Sequence, residues 1–338
     1  MQIRHFTIPI FIPQLACPND CVYCNQRSIS GFLKEPSCEE ILEIINTHLA
    51  TIPTKNSHIE IGFFGGSFTG LPKKDQENYL KIVQPFFESG VIQGIRLSTR
   101  PDYIDEDILQ LLKKYHVTTI ELGAQSMDDE VLKLSGRGHT AEQVIAASNL
   151  IKQKGFSLGL QMMLGLPGDT LEKSITTAKS IVALGADNTR IYPTLVITET
   201  DLEKLYNEGT YIPLSPTDAV DGTKEIYKIF EKGNVKILRL GLHPSEGLIS
   251  GKNLVAGPFH ISFGELVMTA LWKDALQPLL ENSSPEGNNI MISVSSKQIN
   301  NAIGHGTSNK RMLEQKFKKV KFIIDPVLEG RNFHVDYS

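Results

Sequence analysis

The stretch Phe11–Cys24, FIPQLACPNDCVYC, decides the reading of the chain. It opens where an apolar, β-branched run, Ile3–Phe11, comes to an end. Within eight residues it then presents three thiols, Cys17, Cys21 and Cys24, spaced C-x3-C-x2-C. Three thiolates on one loop can ligate three irons of a cubane cluster and leave the fourth iron without a protein ligand. A structural zinc ion and a redox-active thiol pair are the other uses this chemistry allows. Zinc normally takes a fourth Cys or His. The remaining thiol, Cys38, lies fourteen residues on at a predicted helix start and reads as an ordinary small residue.

Outward from that loop, short β-branched runs alternate with longer segments of helical period. Strands are predicted at Ile3–Phe11, Ile59–Phe64, Ile95–Thr99, Thr118–Gly123, Leu158–Leu164 and Thr189–Leu195. Helices are predicted at Cys38–Leu49, Lys73–Phe87, Asp105–Tyr115, Ala141–Lys154 and Leu171–Leu184, each with apolar residues three and four apart. Strand-then-helix repetition gives a parallel sheet. Six such units imply α/β architecture with a partial (β/α)6 TIM-like barrel, in which the loops after the strands build the site. A doubly wound open sheet is the alternative, weakened by the lack of GxGxxG after the first strand. Further on, Thr198–Asn207, Thr217–Glu231 and Gly264–Leu280 read as helices and Val235–Leu240 as a strand.

The chain has 338 residues, 41% apolar and 21% charged, with 27 Gly and 17 Pro, which describes an ordinary globular protein. Its net charge of −4 exerts no global pull on nucleic acid or anionic membrane, so such a partner has to be held by a local patch. Four cysteines, three of them clustered, are not a disulfide framework, and a reducing cytoplasm is the expected compartment. No run approaches the ~20 apolar residues of a membrane span, and no signal peptide or membrane partner is expected.

The second strand runs into FFGGSFTG, where Gly65 and Gly66 let backbone approach a ligand closely. A cysteine loop after the first strand followed by this turn resembles the radical S-adenosylmethionine (SAM) superfamily. Further matches are STRPD (Ser98–Asp102), ELGAQS (Glu121–Ser126), RGHT (Arg137–Thr140), MMLGLPGDT (Met162–Thr170) and RIYPTLVI (Arg190–Ile197). As an ordered set they resemble the radical domain of the elongator catalytic-subunit family, which modifies wobble uridines of tRNA. Oxygen-independent coproporphyrinogen III oxidase is a more distant likeness.

The resemblance implies a 4Fe-4S cluster on Cys17, Cys21 and Cys24. It also implies SAM chelated to the open iron and cleaved by one electron to a 5′-deoxyadenosyl radical. Carried onto this sequence, the cofactor-contacting positions are Tyr23, Gly65, Gly66, Ser67, Ser98, Gln125, Arg137 and Gln161. Arg137 suits the cofactor carboxylate, and the two glutamines suit ribose or adenine. Tyr192 is a candidate substrate-lining residue, and a flavodoxin or ferredoxin is the implied reductant. The elongator-type acetyltransferase domain is not visible in the 88 residues after Ser250, so acyl donor and product do not carry over.

Residues 1–250 are expected to form the radical SAM domain, 251–289 an extension and linker, and 290–338 a basic α/β subdomain. Lys297–Lys321 holds seven basic residues against one acid, a local +6 that leaves about −10 for the rest of the chain. Its order strand, helix, Gly-containing loop, helix, strand is similar to KH-type RNA-binding domains, though Gly304 and Gly306 depart from GxxG. The RNA-binding candidates are Lys297, Gly304, His305, Gly306, Lys310, Arg311, Lys318 and Lys319, with tRNA the expected substrate. A solvated lysine face is the bland alternative. Two other functions remain open: a radical enzyme acting on a small molecule such as a tetrapyrrole, and an RNA-binding protein with a structural cluster. His243, His260 and His305 show no i, i+4 ligand spacing, so a second metal is not expected.

Overall fold

Apolar alternation in the first strand sets the plan of the molecule. In strand β1 (Arg4–Ile12), Ile8, Ile10 and Ile12 are buried in the main core, while Thr7, Pro9 and Phe11 between them line a cavity. The structure, a computed structural model, describes residues 3–12, 21–25, 36–53, 55–281 and 289–337. They divide into two compact units, Met1–Ser215 with Ile226–Phe259, and Pro216–Glu225 with His260–Ser338.

In the first unit, β1 is followed by β2 (Ser57–Gly65), β3 (Gly94–Thr99), β4 (Thr119–Gln125), β5 (Ser157–Leu164) and β6 (Asn188–Pro193). All pair in parallel, each beside its predecessor. Strand β7 (Val196–Ile197) leaves this sheet to pair with β9 (Leu254–Ala256), and β8 (Lys236–Leu240) completes it in parallel beside β6. Consecutive order without a switch point removes the doubly wound alternative and gives a half-barrel. Among the described residues it has seven strands where six were expected. The extra one is the run Val235–Leu240, which reaches the sheet only after the long crossover through Pro216–Lys232.

The helices α1 (Cys38–Thr51), α2 (Lys73–Glu88), α3 (Glu106–Lys114), α5 (Ala141–Gln153) and α6 (Leu171–Ala183) fall where the apolar period places them. Ser37 with Glu40, and Thr140 with Gln143, form capping boxes that satisfy the first amides of α1 and α5. The one-turn helix α4 (Asp129–Leu134) has no period to read and is started by Asp128, which accepts from Val131 N–H. Cys38, on the first turn of α1, is exposed.

The second unit has its own core around Trp272, Leu276, Ile292, Leu313 and Phe317. Trp272 and Leu276 lie on the helix Phe263–Leu276, inside the span 251–289 expected to be extension and linker. The linker-like run at 282–288 lies outside the described residues. Strand β10 (Asn289–Val294), the helices Ile299–Ile303 and Ser308–Leu313, and β11 (Lys319–Ile324) follow in the expected order. A strand not foreseen, β12 (Phe333–Tyr337), pairs antiparallel with β10, so β10 is the centre of a three-stranded sheet. Its alternation of Phe333, Val335 and Tyr337 with His334 and Asp336 was the available signal. Among the described residues, no helix is long and apolar enough to cross a membrane.

Candidate active site

The inward faces of the half-barrel strands and the loops after them enclose a cavity of about 1460 Å³. Cys21, Tyr23, Cys24, Gly65, Gly66, Ser67, Ser98, Gln125, Arg137, Gln161 and Tyr192 all line it. Residues from Cys21 to Tyr192 thus converge on one chamber. Cys17 lies outside the described residues.

Cys21 and Cys24 sit on one tight turn closed by Cys24 N–H to Cys21 O (2.9 Å) and tethered by Val22 N–H to Ser135 O (3.1 Å). Arg137 Nη1 lies 3.4 Å from Cys21 Sγ, and its Nη2 donates to the Gly123 carbonyl at 2.6 Å. The guanidinium thus faces the sulfur of the cysteine turn. Tyr23, between the two cysteines, is buried, and burial pushes its phenol above the ordinary range.

At the end of β2, Gly65 has φ +105°, and a Cβ there would stand 2.4 Å from the Ile12 carbonyl oxygen. Gly66 N–H donates to that same carbonyl at 2.8 Å, so what the turn can offer an ammonium group is carbonyl oxygen. Ser67 is engaged differently. Its hydroxyl lies 2.8 Å from Thr99 Oγ1 and accepts from Arg100 N–H at 3.1 Å, joining the ends of β2 and β3. Gln125 follows a bulge in β4 and holds a left-handed backbone, φ +65°, uncommon for a residue with a side chain. Its Oε1 accepts from Gln161 Nε2 at 3.2 Å, so the two amides form one hydrogen-bonding edge of the chamber.

Sequence reasoning missed a charge ladder on the chamber wall. Glu60 of β2 pairs with Arg96 of β3 (3.2 Å), Arg96 with Glu121 of β4 (2.7 Å), and Glu121 with Arg190 of β6 (2.6 Å). The ladder crosses β5 at Gly159, where a Cβ would stand 2.7 Å from both Glu121 Cγ and Asn188 Oδ1. Arg190 also lies over the Phe64 ring, 5.1 Å from its centroid. The signal was a single charge inside each of four strands otherwise apolar on the helix-facing side.

His139, behind this wall, is 5% exposed, and its Nε2 lies 3.3 Å from the Ala124 carbonyl, to which it must donate. Burial first, then the cations Arg137 and Arg100, push its pKa down from 6.5 to about 3, so it is neutral near pH 7. Between those values the unfolded chain binds a proton the folded chain refuses. Stability therefore falls as pH drops below 6.5, by at most about 1.4 kcal/mol per pH unit from this group. Comparing urea midpoints at neutral and mildly acid pH, His139→Gln should show a shallower acid loss than the parent chain. Equal losses would contradict this assignment.

The profile described as the Radical SAM superfamily matches residues 11–181, and that described as the Radical_SAM C-terminal domain matches residues 186–273. The chain belongs to the radical SAM superfamily of enzymes.

Among similar proteins, the tRNA uridine(34) acetyltransferase of Dehalococcoides mccartyi is 26% identical over 268 residues, covering 69% of this chain and 58% of that protein. Elongator complex protein 3 of Homo sapiens is 30% identical over 183 residues, 48% of this chain and 34% of that protein. The structure of the archaeal Methanocaldococcus infernus Elp3 with its N-terminus (1–46) deleted shares the fold, with TM-score 0.63 and 24% identity over 82% of this chain and 64% of that one. The chain thus spans between about a third and three-fifths of the length of these two curated relatives.

For a radical SAM protein, the residues present fit the group the superfamily uses. Two thiols share a turn, a cation faces one of them, and a glycine turn that admits no Cβ at Gly65 borders the same chamber. In the second unit, the RNA-binding candidates do not converge in this way. Lys297 precedes the helix Ile299–Ile303, Lys310 and Arg311 lie on Ser308–Leu313, and Lys318 and Lys319 stand exposed at the start of β11. Lys310 faces Glu314 at 3.7 Å. In the loop between them, Gly304 (φ +86°) and Gly306 (φ +57°) take positive φ, and the His305 N–H donates to Thr269 Oγ1 at 2.9 Å, which commits it within the unit. His305 also meets His260 edge-on at 5.4 Å, but the described residues hold no group of three metal-ligating side chains.

Proposed function

We propose that the chain carries a 4Fe-4S cluster on Cys17, Cys21 and Cys24, holds SAM along the same chamber, and acts on RNA, with tRNA the foremost substrate. What carries this reading is the convergence of Cys21, Cys24, Arg137, Gln125, Gln161 and the Gly65–Gly66 turn on one cavity along the inward face of the half-barrel. Cys17, Cys21 and Cys24 would hold the cluster, which, reduced by a protein of the flavodoxin or ferredoxin class, would supply the single electron for reductive cleavage of SAM to methionine and a 5′-deoxyadenosyl radical.

The chain's own residues do the positioning. Arg137 pairs with the methionyl carboxylate as a fixed fork of donors. Carbonyls of the Gly65–Gly66 turn accept from the methionyl amine. Gln125 and Gln161, already joined to each other, present amide groups to ribose or adenine, with Ser98 lining the same chamber and Ser67 holding the strand ends together. Tyr23 packs over the cysteine turn. Tyr192, beside Arg190 on β6, borders the substrate's share of the chamber.

tRNA as substrate is supported by relatives named tRNA uridine(34) acetyltransferase and by the exposed lysines of β11. Because the chain spans only part of those relatives, the group transferred is not carried over from them. Phosphate contacts by the basic unit predict tRNA binding that weakens steeply with salt. Lys318→Ala with Lys319→Ala should lower the logarithmic salt slope by about two, uniformly across tRNA species, in filter-binding titrations of the full chain. Salt-insensitive binding, or none, would exclude the RNA reading.

A further inference from the structure

Arg100, the residue after β3, has no role in the reading above, yet it joins three segments that carry it. Its residue surface is 3% exposed. Nε and Nη2 donate to the two carboxylate oxygens of Asp102 at 2.9 and 3.0 Å, a bidentate pairing that compensates the buried charge. The same Nη2 donates to the backbone carbonyl of Arg137 at 2.6 Å, while the Arg100 N–H donates to Ser67 Oγ at 3.1 Å. The ends of β2 and β3 and the loop bearing Arg137 thus meet at one residue, its backbone N–H holding Ser67 and its side chain the Arg137 carbonyl.

The Arg137 loop needs such a tether. Gly136 (φ +64°) and Gly138 (φ +71°) flank Arg137, both in the left-handed region, so the chain on either side is of the most permissive kind. Arg137 N–H is held by the Leu132 carbonyl at 3.0 Å, and its own carbonyl by Arg100. The guanidinium can lie between Cys21 Sγ and Gly123 O only if the backbone it springs from stays in place. A lysine at position 100 has a single ammonium on a flexible stem and cannot keep the two-pronged Asp102 pairing and the Arg137 carbonyl in one plane.

We infer that Arg100, fixed by Asp102, is a positioning residue for SAM binding, acting by holding the Arg137 loop. The inference rests on the proposed pairing of Arg137 with the SAM carboxylate. It needs no contact between Arg100 and the cofactor.

The test is a double-mutant cycle on anaerobically reconstituted full-length protein, reading SAM affinity by equilibrium dialysis without reductant, with iron content and thermal midpoint measured alongside. Arg100→Lys should weaken SAM binding by about tenfold, as when a partner behind a ligand-binding group is removed, and Arg137→Gln by about tenfold, as when a hydrogen bond to a charged group is lost. Iron content should be unchanged. The double variant should bind little worse than either single, because the two changes remove the same contact.

Unchanged affinity in Arg100→Lys, or a double variant weakened by the full product of about a hundredfold, would overturn the inference. Asp102→Asn serves the same cycle if Arg100→Lys does not fold. It leaves the Arg100 donors in place but releases their orientation, and a loss of about threefold or more is expected, whereas none would count against the tether. If Arg137→Gln alone leaves SAM binding intact, the proposed carboxylate contact falls and this inference with it. A weakened Arg137→Gln beside an unaffected Arg100→Lys removes the inference only.

Discussion

Replacing Glu121 by Ala is expected to destabilise the half-barrel by about 3–5 kcal/mol, the usual cost of removing one partner from a buried ion pair. The carboxylate is the centre of the ladder. Oε1 accepts from Arg96 Nη1 at 2.7 Å and Arg190 Nη2 at 3.2 Å, and Oε2 accepts from Arg190 Nε at 2.6 Å. Burial alone pushes this acid's pKa up, but Arg190 and Arg96 outweigh it and hold the group below the ordinary carboxylate range. Only 4% of the Glu121 side chain and 9% of the Arg96 side chain are exposed, so solvent screens the pair little.

Truncation would leave Arg96 with Glu60 as its carboxylate and Asn188 Oδ1 as a neutral acceptor, and Arg190 with no carboxylate from the ladder. At roughly 2–4 °C per kcal/mol for a unit of this size, the thermal midpoint should fall by about 6–20 °C. Glu121→Gln keeps the shape and part of the hydrogen bonding and should fall in between. A midpoint within about 2 °C of the parent for the Ala variant would show that the ladder does not hold the strands together.

Much of this wall was legible only in part. The half-barrel follows from runs such as IRLST and LQMML, which pack one face against helices and read as strands whatever lies on the other face. The chamber residues were found through motif order, and they do converge. What alternation alone did not say is that the odd members of each run, Glu60, Arg96, Glu121 and Arg190, face one another across four strands. A lone charge in an apolar strand names its own face but not its partner, because pairing depends on register and on the gap left by Gly159. The left-handed backbone of Gln125 had no sequence signal, since glutamine is not among the residue types enriched in that conformation. The committed hydroxyl of Ser67 and the committed N–H of His305 were likewise invisible, because both depend on residues distant in sequence, Thr99 and Thr269.

Exchange of the clustered thiols should have the largest functional effect. A cubane needs three thiolates to keep three irons, and Cys21 and Cys24 share the turn that Arg137 faces. Exchange of Cys17, Cys21 and Cys24 for Ala should therefore remove the iron and its charge-transfer absorbance. The turn itself is tied by backbone bonds, Val22 N–H to Ser135 O and Leu202 N–H to Val22 O, so the fold of the half-barrel should survive. Retained far-ultraviolet circular dichroism would confirm that the loss is local.

The direct measurement is 5′-deoxyadenosine formation from SAM by the reconstituted chain under dithionite, scored by liquid chromatography and mass spectrometry. The proposed function predicts that the parent chain releases 5′-deoxyadenosine and methionine and that the triple Cys→Ala variant releases none. Equal release by the two, or none from a parent chain loaded with iron and sulfide, would contradict it.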